Sequence, residues 1–310
     1  MIITVTLNPA LDKTVQISGF AIDAVNRIES FRLDAGGKGV NVAKVIRSLG
    51  YDCTAMGFLS GRSGQLIEED LAGLGIGCDF VYTPGETRTN IKIIDPRKST
   101  CTDMNELGPE APQGAVIELE NRLLQRIGSG DLVVFSGSVP PNMDKDIYMR
   151  WITLAKGRGA DTILDADGVL FRNGIKAGPG AIKPNVHELE MLCRKPLETP
   201  IEVQTEAEKL FAYGIDSILV SMGDRGALFL HDKQMYFTPG IEAQVKSTVG
   251  AGDAMVAALA ISRQRGDSPE ETLQLASACG TACVMTEGTQ APTQESVKRL
   301  ILQTKMDIFR

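Results

Sequence analysis

Gly250, Ala251, Gly252 and Asp253 form a run of small residues closed by a carboxylate, with an apolar stretch, 254–261, directly behind it. Glycines let a backbone approach a ligand with no side chain in the way. A turn that ends where a helix begins leaves several N–H groups without partners. Together with the helix dipole they make a site for an anion. Asp253 then falls in the first helical turn, beside the place a phosphate would take. Such a cradle suits phosphoryl transfer: the donors hold the charge that develops, and the carboxylate takes a proton from an attacking hydroxyl. An ordinary strand-to-helix turn with Asp253 as N-cap is the alternative.

Three further turns and an aspartate carry residue types that fit this chemistry. Gly36-Gly37-Lys38-Gly39-Val40-Asn41 opens a second helix. Its spacing is neither that of a Walker loop nor that of a dinucleotide fingerprint. Gly36 and Gly37 admit a polar ligand, and the Asn41 amide can donate to and accept from hydroxyls, which reads as a sugar site. Asp12 follows the first expected strand, where ligands gather in open α/β sheets, and a carboxylate there can bind two sugar hydroxyls; a turn or cap aspartate is the alternative. In Lys183-Pro184-Asn185-Val186-His187-Glu188, Asn185 and Glu188 have the spacing of a capping box. The functional alternative has both organise Mg²⁺ through water, since that ion takes few protein carboxylates. Ser221-Met222-Gly223-Asp224-Arg225-Gly226 suits a nucleotide phosphate or ribose, or is a plain β-turn.

The elements that must position these turns alternate along the chain. Apolar runs at 2–7, 54–58, 132–136, 162–165, 181–183 and 217–221 read as buried strands, and a β-type run at 243–248 leads into the Gly250 turn. Helical spacing lies between them, as at Val42, Val45, Ile46 and Leu49. Continuous apolar strands separated by helices imply a parallel sheet covered on both faces. One sheet would bring the turns to a common edge. Two strand pairs break the alternation, 14–17 with 28–33 and 88–94 with 100–105. In the second, Arg88, Asn90 and Lys92 share one face and Ile91 and Ile93 the other. A small sheet of this kind can act as a lid, its polar face over an anionic ligand and its apolar face against the lid of a second subunit. A decorated edge of the main sheet is the alternative.

Composition removes other classes. With 310 residues and 43% hydrophobic content the chain can form one large α/β domain. A net charge of −7 argues against a nucleic-acid partner. The apolar runs are too short for a membrane span. The chain opens as a strand without a signal pattern, which reads as cytoplasmic. The six cysteines are scattered and only two histidines occur, so zinc is not expected.

The ordered motifs resemble the ribokinase-like sugar kinases, the PfkB carbohydrate kinases. Gly36–Asn41 is similar to the first family signature, Ser247 to Asp253 to the second, and Asn185–Glu188 to the Asn-x-x-Glu motif. The resemblance covers essentially the whole chain. It implies a three-layer α/β/α sandwich with a mostly parallel sheet plus a β-lid (strands from about 13–33 and 87–106 of a single domain, 1–310), often paired as a dimer. It also implies ATP and Mg²⁺ as cofactors and transfer of the γ-phosphoryl to a sugar hydroxyl. Asp253 would be the general base, and the N–H groups of Gly250, Ala251 and Gly252 the anion hole. Asp12, Gly36, Gly37, Lys38, Asn41 and Asn90 would hold the sugar. Ser221, Gly223, Asp224 and Gly226 would line the nucleotide site with Lys183, Asn185 and Val249, and Cys279 and Cys283 would lie at the adenine. Thr6–Asp12, Gly85–Asn90 and Ser136–Pro140 resemble the phosphosugar branch, the 1-phosphofructokinases and tagatose-6-phosphate kinases. That makes Arg88 the expected ligand of the sugar's own phosphate, with Lys38 and Arg27 as further candidates, and Ser138 another substrate-binding residue. Fructose 1-phosphate is the first choice of substrate, tagatose 6-phosphate the second and fructose 6-phosphate the third. Asp165-Ala166-Asp167-Gly168 departs from the Asp-Ser-Ser-Gly of the family. A noncatalytic sugar-phosphate sensor would use the same fold. A nicotinamide dehydrogenase would lack its glycine spacing.

Overall fold

The computed structural model describes residues 1–305 and 307–309; residues 306 and 310, the latter the end of the expected 1–310 domain, lie outside them. The N-terminal part runs β1 (Ile2–Thr6), β2 (Ala10–Gln16), β3 (Ser30–Gly36), α1 (Lys38–Ser48), β4 (Cys53–Leu59), α2 (Gly61–Gly73), β5 (Gly77–Tyr82), β6 (Thr89–Asp95) and β7 (Thr100–Asn105). The middle runs α3 (Gln113–Arg126), β8 (Leu132–Ser136), α4 (Ile147–Gly157), β9 (Asp161–Asp165), α5 (Gly168–Gly174), β10 (Ala181–Ile182), α6 (Val186–Cys193) and α7 (Pro200–Glu208). Then follow β11 (Ser217–Ser221), β12 (Ala227–His231), β13 (Gln234–Thr238), α8 (Ala251–Arg265), α9 (Pro269–Val284), α10 (Gln294–Ile301) and β14 (Asp307–Phe309).

Ten strands form the large sheet in the order β14-β13-β12-β11-β10-β9-β8-β1-β4-β5. From β5 to β11 every pairing is parallel; β12, β13 and β14 close that end in antiparallel fashion. Alternate side chains of a strand enter opposite cores. On β8, Leu132 and Val134 pack with α1, α2, α8, α9 and α10, while Val133 and Phe135 pack with α3 to α7. This two-sided burial is why the strands read as unbroken apolar runs. The chain leaves β1 toward β4 on one side, and β8 flanks it on the other, so a crevice opens at the carboxyl ends of the strands, where α/β sheets hold ligands.

The lid is a separate four-stranded sheet, β3-β2-β6-β7, and not an edge of the large one. Its strands start nearer the body than expected. β2 takes in residues 10–12 and β3 residues 34–36, so Asp12 lies inside a lid strand, not in a turn after the first strand. Cross-strand register sets Asp34, Asp12, Asn90 and Asn105 in one row. The β-type run at 243–248 is not a strand. The backbone N–H groups of Lys246 and Ser247 donate instead to the Val284 carbonyl at the end of α9 (2.8 and 3.2 Å), which holds the segment off the sheet. α8 starts at Ala251 and is buried from Asp253 to Ser262, wedged between α1 and α9.

Candidate active site

The anion cradle exists as backbone geometry. Gly250 has φ 83°, a left-handed conformation suited to glycine, and caps α8. The first helical hydrogen bond runs from the Ala254 N–H to the Gly250 carbonyl (2.8 Å), so the N–H groups of Ala251, Gly252 and Asp253 precede the helical ladder. A Cβ on Gly252 would lie 3.2 Å from Lys183 Nζ, so the glycine keeps the space between the amides and the ammonium clear.

Asp253 is 7% exposed, and its Oδ2 accepts a hydrogen bond from Asn41 Nδ2 at 2.8 Å. Asn41 Oδ1 is buried with no hydrogen-bond partner among the described residues. An unpaired amide oxygen beside a carboxylate is a ready acceptor for a hydroxyl. Burial, with the nearby Asp165 carboxylate, pushes the Asp253 pKa up to about 6, against the pull of Lys38, Asn41 and Lys183. Asp165 itself is 1% exposed between Lys38 (3.3 Å) and Lys183 (3.6 Å). Burial opposes its ionisation, but the two ammonium groups outweigh it and hold its pKa below the ordinary value. Burial also pulls Lys38 down, and Asp165, Asp253 and Glu188 more than reverse that.

A cavity of about 440 Å³ between lid and body gathers most of the expected residues: Asp12, Gly37, Lys38, Asn41, Arg88, Asn90, Lys183, Asn185, Glu188, Ser221, Val249, Gly250, Gly252 and Asp253. A neighbouring one of about 730 Å³ shares Asn185, Ser221 and Gly252 with it and adds Gly223, Asp224, Gly226 and Ala251. Gly36 lies behind the first cavity: a Cβ there would fall 2.1 Å from Asp12 Oδ2. Asp12 Oδ1 accepts from Asn90 Nδ2 at 2.9 Å. The Arg88 guanidinium donates largely to main-chain carbonyls, those of Asn8 (3.0 Å from Nη2) and Glu106 (3.0 Å from Nη1). Ser138 accepts from Asn8 Nδ2 (3.3 Å) at the same end.

Three expected contributors are elsewhere. Arg27 is exposed in the segment between β2 and β3, outside both cavities. Cys279 and Cys283 are not at the second cavity. They are buried in the core among α1, α8 and α9, because the helix face that lines the cavity is the one bearing Ser277, Gly280, Thr281 and Val284. The apolar spacing of the two thiols marked core packing. Asp165, the last residue of β9, was legible only as the start of the Asp165–Gly168 loop, with no role assigned to its carboxylate. Thr14, Asp103 and Asn105 of the lid, and Gly288 and Thr289 after α9, gave no chemical signal in the sequence, although 103 and 105 keep the alternation of an inward face.

Asn185 and Glu188 form a complete capping box: Asn185 Oδ1 accepts from the Glu188 N–H and Glu188 Oε2 from the Asn185 N–H, both at 2.8 Å. Glu188 also faces the cleft. No cluster of three or more His, Cys, Asp or Glu side chains that could hold a metal occurs among the described residues. The donor set therefore fits an ion carried mainly by water and phosphate, touched by one carboxylate, and does not fit a protein-enclosed metal.

A buried carboxylate beside a helix N-terminus, at the carboxyl edge of a parallel sheet and under a small polar-faced sheet, defines a kinase of small hydroxylated molecules. The chain belongs to the pfkB family of carbohydrate kinases, whose model matches residues 5–296. It is 35% identical to a 1-phosphofructokinase of Rhodobacter capsulatus, over 96% of this chain and 95% of that one. It is also 35% identical to a tagatose-6-phosphate kinase of Staphylococcus epidermidis, over 93% and 94%. Phosphofructokinase-2 from Escherichia coli, solved in complex with substrates and products, superposes with a TM-score of 0.93 at 27% identity, over 97% of this chain and 98% of that one. The protein is thus a phosphotransferase acting on a sugar hydroxyl, and its ribokinase-like fold is the one its motifs implied.

Proposed function

We propose that this protein transfers the γ-phosphoryl of ATP to a phosphosugar, with fructose 1-phosphate, giving fructose 1,6-bisphosphate, as the first choice. Tagatose 6-phosphate is the second choice and fructose 6-phosphate the third. The observation that carries this is the Asn41–Asp253 pair at the mouth of α8, with Asn41 Oδ1 buried and without a hydrogen-bond partner among the described residues. The acceptor hydroxyl sits against this pair. Asp253 takes its proton as the oxygen attacks, and the N–H groups of Gly250, Ala251 and Gly252 receive the charge of the moving phosphoryl. Lys38 and Lys183, held in place by Asp165, add fixed positive charge. Asp12 and Asn90 hold sugar hydroxyls. Gly223, Asp224 and Gly226 line the ribose and phosphate path of the nucleotide, and Ile241, Val245 and Val284 the base. Bound Mg²⁺ would neutralise charge on the phosphates. Glu188 and Asn185 would hold it through water. The whole chain acts as one kinase domain, in the cytoplasm where ATP is available.

A coupled ADP-release assay across the three phosphosugars and unphosphorylated fructose, ribose and a nucleoside tests this reading. Turnover should require a phosphorylated sugar. Arg88→Met should raise KM for the phosphosugar by about 10- to 100-fold, as expected for one charge-assisted hydrogen-bonding group, with KM for ATP little changed. Preference for ribose or a nucleoside would overturn the assignment.

The apolar face of the lid supports a homodimer. Val15, Ile17 and Ile93 are covered within the chain, but Phe31 is 63% and Leu33 44% exposed on β3. Monomeric proteins seldom leave such a face open. Sedimentation at micromolar concentration should show a dimer that Phe31→Glu dissociates; a monomeric wild type would count against this assembly.

A further inference from the structure

Lys44 lies on α1, only 7% exposed, behind the sugar end of the cleft. A buried ammonium is costly unless something repays its lost hydration. A methionine would fill the same space without that cost. The hydrogen bond that Lys44 Nζ makes is to the Ala35 carbonyl, at 2.8 Å. Ala35 is the residue before Gly36, and Gly36 is the surface on which the Asp12 carboxylate rests, with no room for a Cβ between them.

The charges around the two groups are unequal. Lys44 feels the charges of Asp34 on β3, Asp70 on α2 and Asp12 on β2, and of Arg32 on β3 as a like charge. Asp12 faces Lys44, Arg88 and, as a like charge, Asp34, besides its hydrogen bond from Asn90. Burial pulls the Lys44 ammonium below its ordinary pKa, against those three carboxylates. Burial likewise pushes Asp12 above its ordinary value, and Asn90, Lys44 and Arg88 act against that.

We infer that Lys44 is a positioning residue of the sugar pocket: it anchors the Ala35–Gly37 turn beneath Asp12 and supplies the buried positive charge opposite the Asp12 carboxylate. Arg88 adds a second positive charge near Asp12, but its guanidinium hydrogen-bonds the Asn8, Pro9 and Glu106 carbonyls and does not reach the Ala35 carbonyl that Lys44 holds. The inference rests on the sugar-binding role given to Asp12 above.

The test uses the full-length chain and two independent readouts. Titration of the Asp12 carboxyl by ¹³C NMR, assigned by difference from Asp12→Asn, should move up by about one pH unit in Lys44→Met and Lys44→Gln, the size expected for losing a charge a few ångströms away in partly buried surroundings. Lys44→Arg should leave it within a few tenths of wild type. KM for fructose 1-phosphate should rise about tenfold in Lys44→Met, more toward acid pH than toward alkaline pH, with KM for ATP unchanged. In an Asp12→Asn background the same substitution should add little. An unmoved Asp12 titration in both the Met and Gln variants, or equal effects on both substrates at all pH values, would overturn the inference. A shifted titration with no change in KM would instead remove Asp12 from the sugar site and leave the charge pairing standing.

Discussion

Asp253→Asn should lower kcat by about a hundred- to ten-thousandfold, the usual cost of losing a general base, while the phosphosugar should still bind. The amide keeps the shape of the side chain and its contact with Asn41, so the loss isolates proton acceptance from positioning. In the wild type the base works only when ionised. With a pKa raised to about 6, chiefly by burial, kcat/KM should fall tenfold per pH unit below that value and level off above it. The same shift has a stability consequence of opposite sign. The unfolded chain ionises this aspartate near 3.8, so between 3.8 and about 6 the folded state holds a proton that the unfolded state has lost. Stability therefore falls as pH rises through that window. Asp253→Asn removes the penalty and should be more stable than wild type by up to about 3 kcal/mol at pH 8, with no gain at pH 3.5. Denaturant melts at the two pH values measure this. A variant that kept its turnover, or that lost stability at pH 8, would exclude a buried, strained base at this position.

Gly36→Ala is the second change with a large expected effect. The backbone of Gly36 is not left-handed, so alanine costs little in conformation. Its methyl group would overlap the Asp12 carboxylate, 2.1 Å from Oδ2, and must displace it. The displaced carboxylate also leaves the Asn90 amide without its acceptor. A shift of about an ångström in a substrate-holding group is enough for about a hundredfold loss in kcat/KM. The loss should fall on the phosphosugar term, with nucleotide binding and the melting temperature near wild type. Equal damage to both substrates would mean that the turn supports the fold and not the sugar.

Much of the site was legible because its chemistry is local. Glycines ahead of an apolar helix leave N–H groups free to meet an anion, so a cradle at Gly250–Asp253 could be proposed from residue order. The capping box at Asn185–Glu188 was equally local, and both of its readings survive, since one carboxylate can cap a helix and face a cleft. The parallel sheet followed from strands apolar on both faces. What failed were statements that needed a direction in space. The 243–248 run has strand composition, yet its N–H groups bond to the end of α9. The cysteines of α9 lie on a helix with small or apolar residues nearly all round, and only packing decided that Ser277, Gly280 and Thr281 face the cavity while the thiols face the core.

From residue order alone came a glycine turn closed by a carboxylate at a helix start, an asparagine in the first turn of a second helix, and the alternation of buried strands with helices, because each depends on residue types and spacings over a short stretch. Tertiary structure alone decided that Asn41 meets Asp253 across 212 positions, that Asp165 sits between two lysines, and that a buried Lys44 bonds the Ala35 carbonyl, next to the glycine against which Asp12 rests. Those are contacts between elements, and the low dielectric that shifts their charges exists only once the elements have packed.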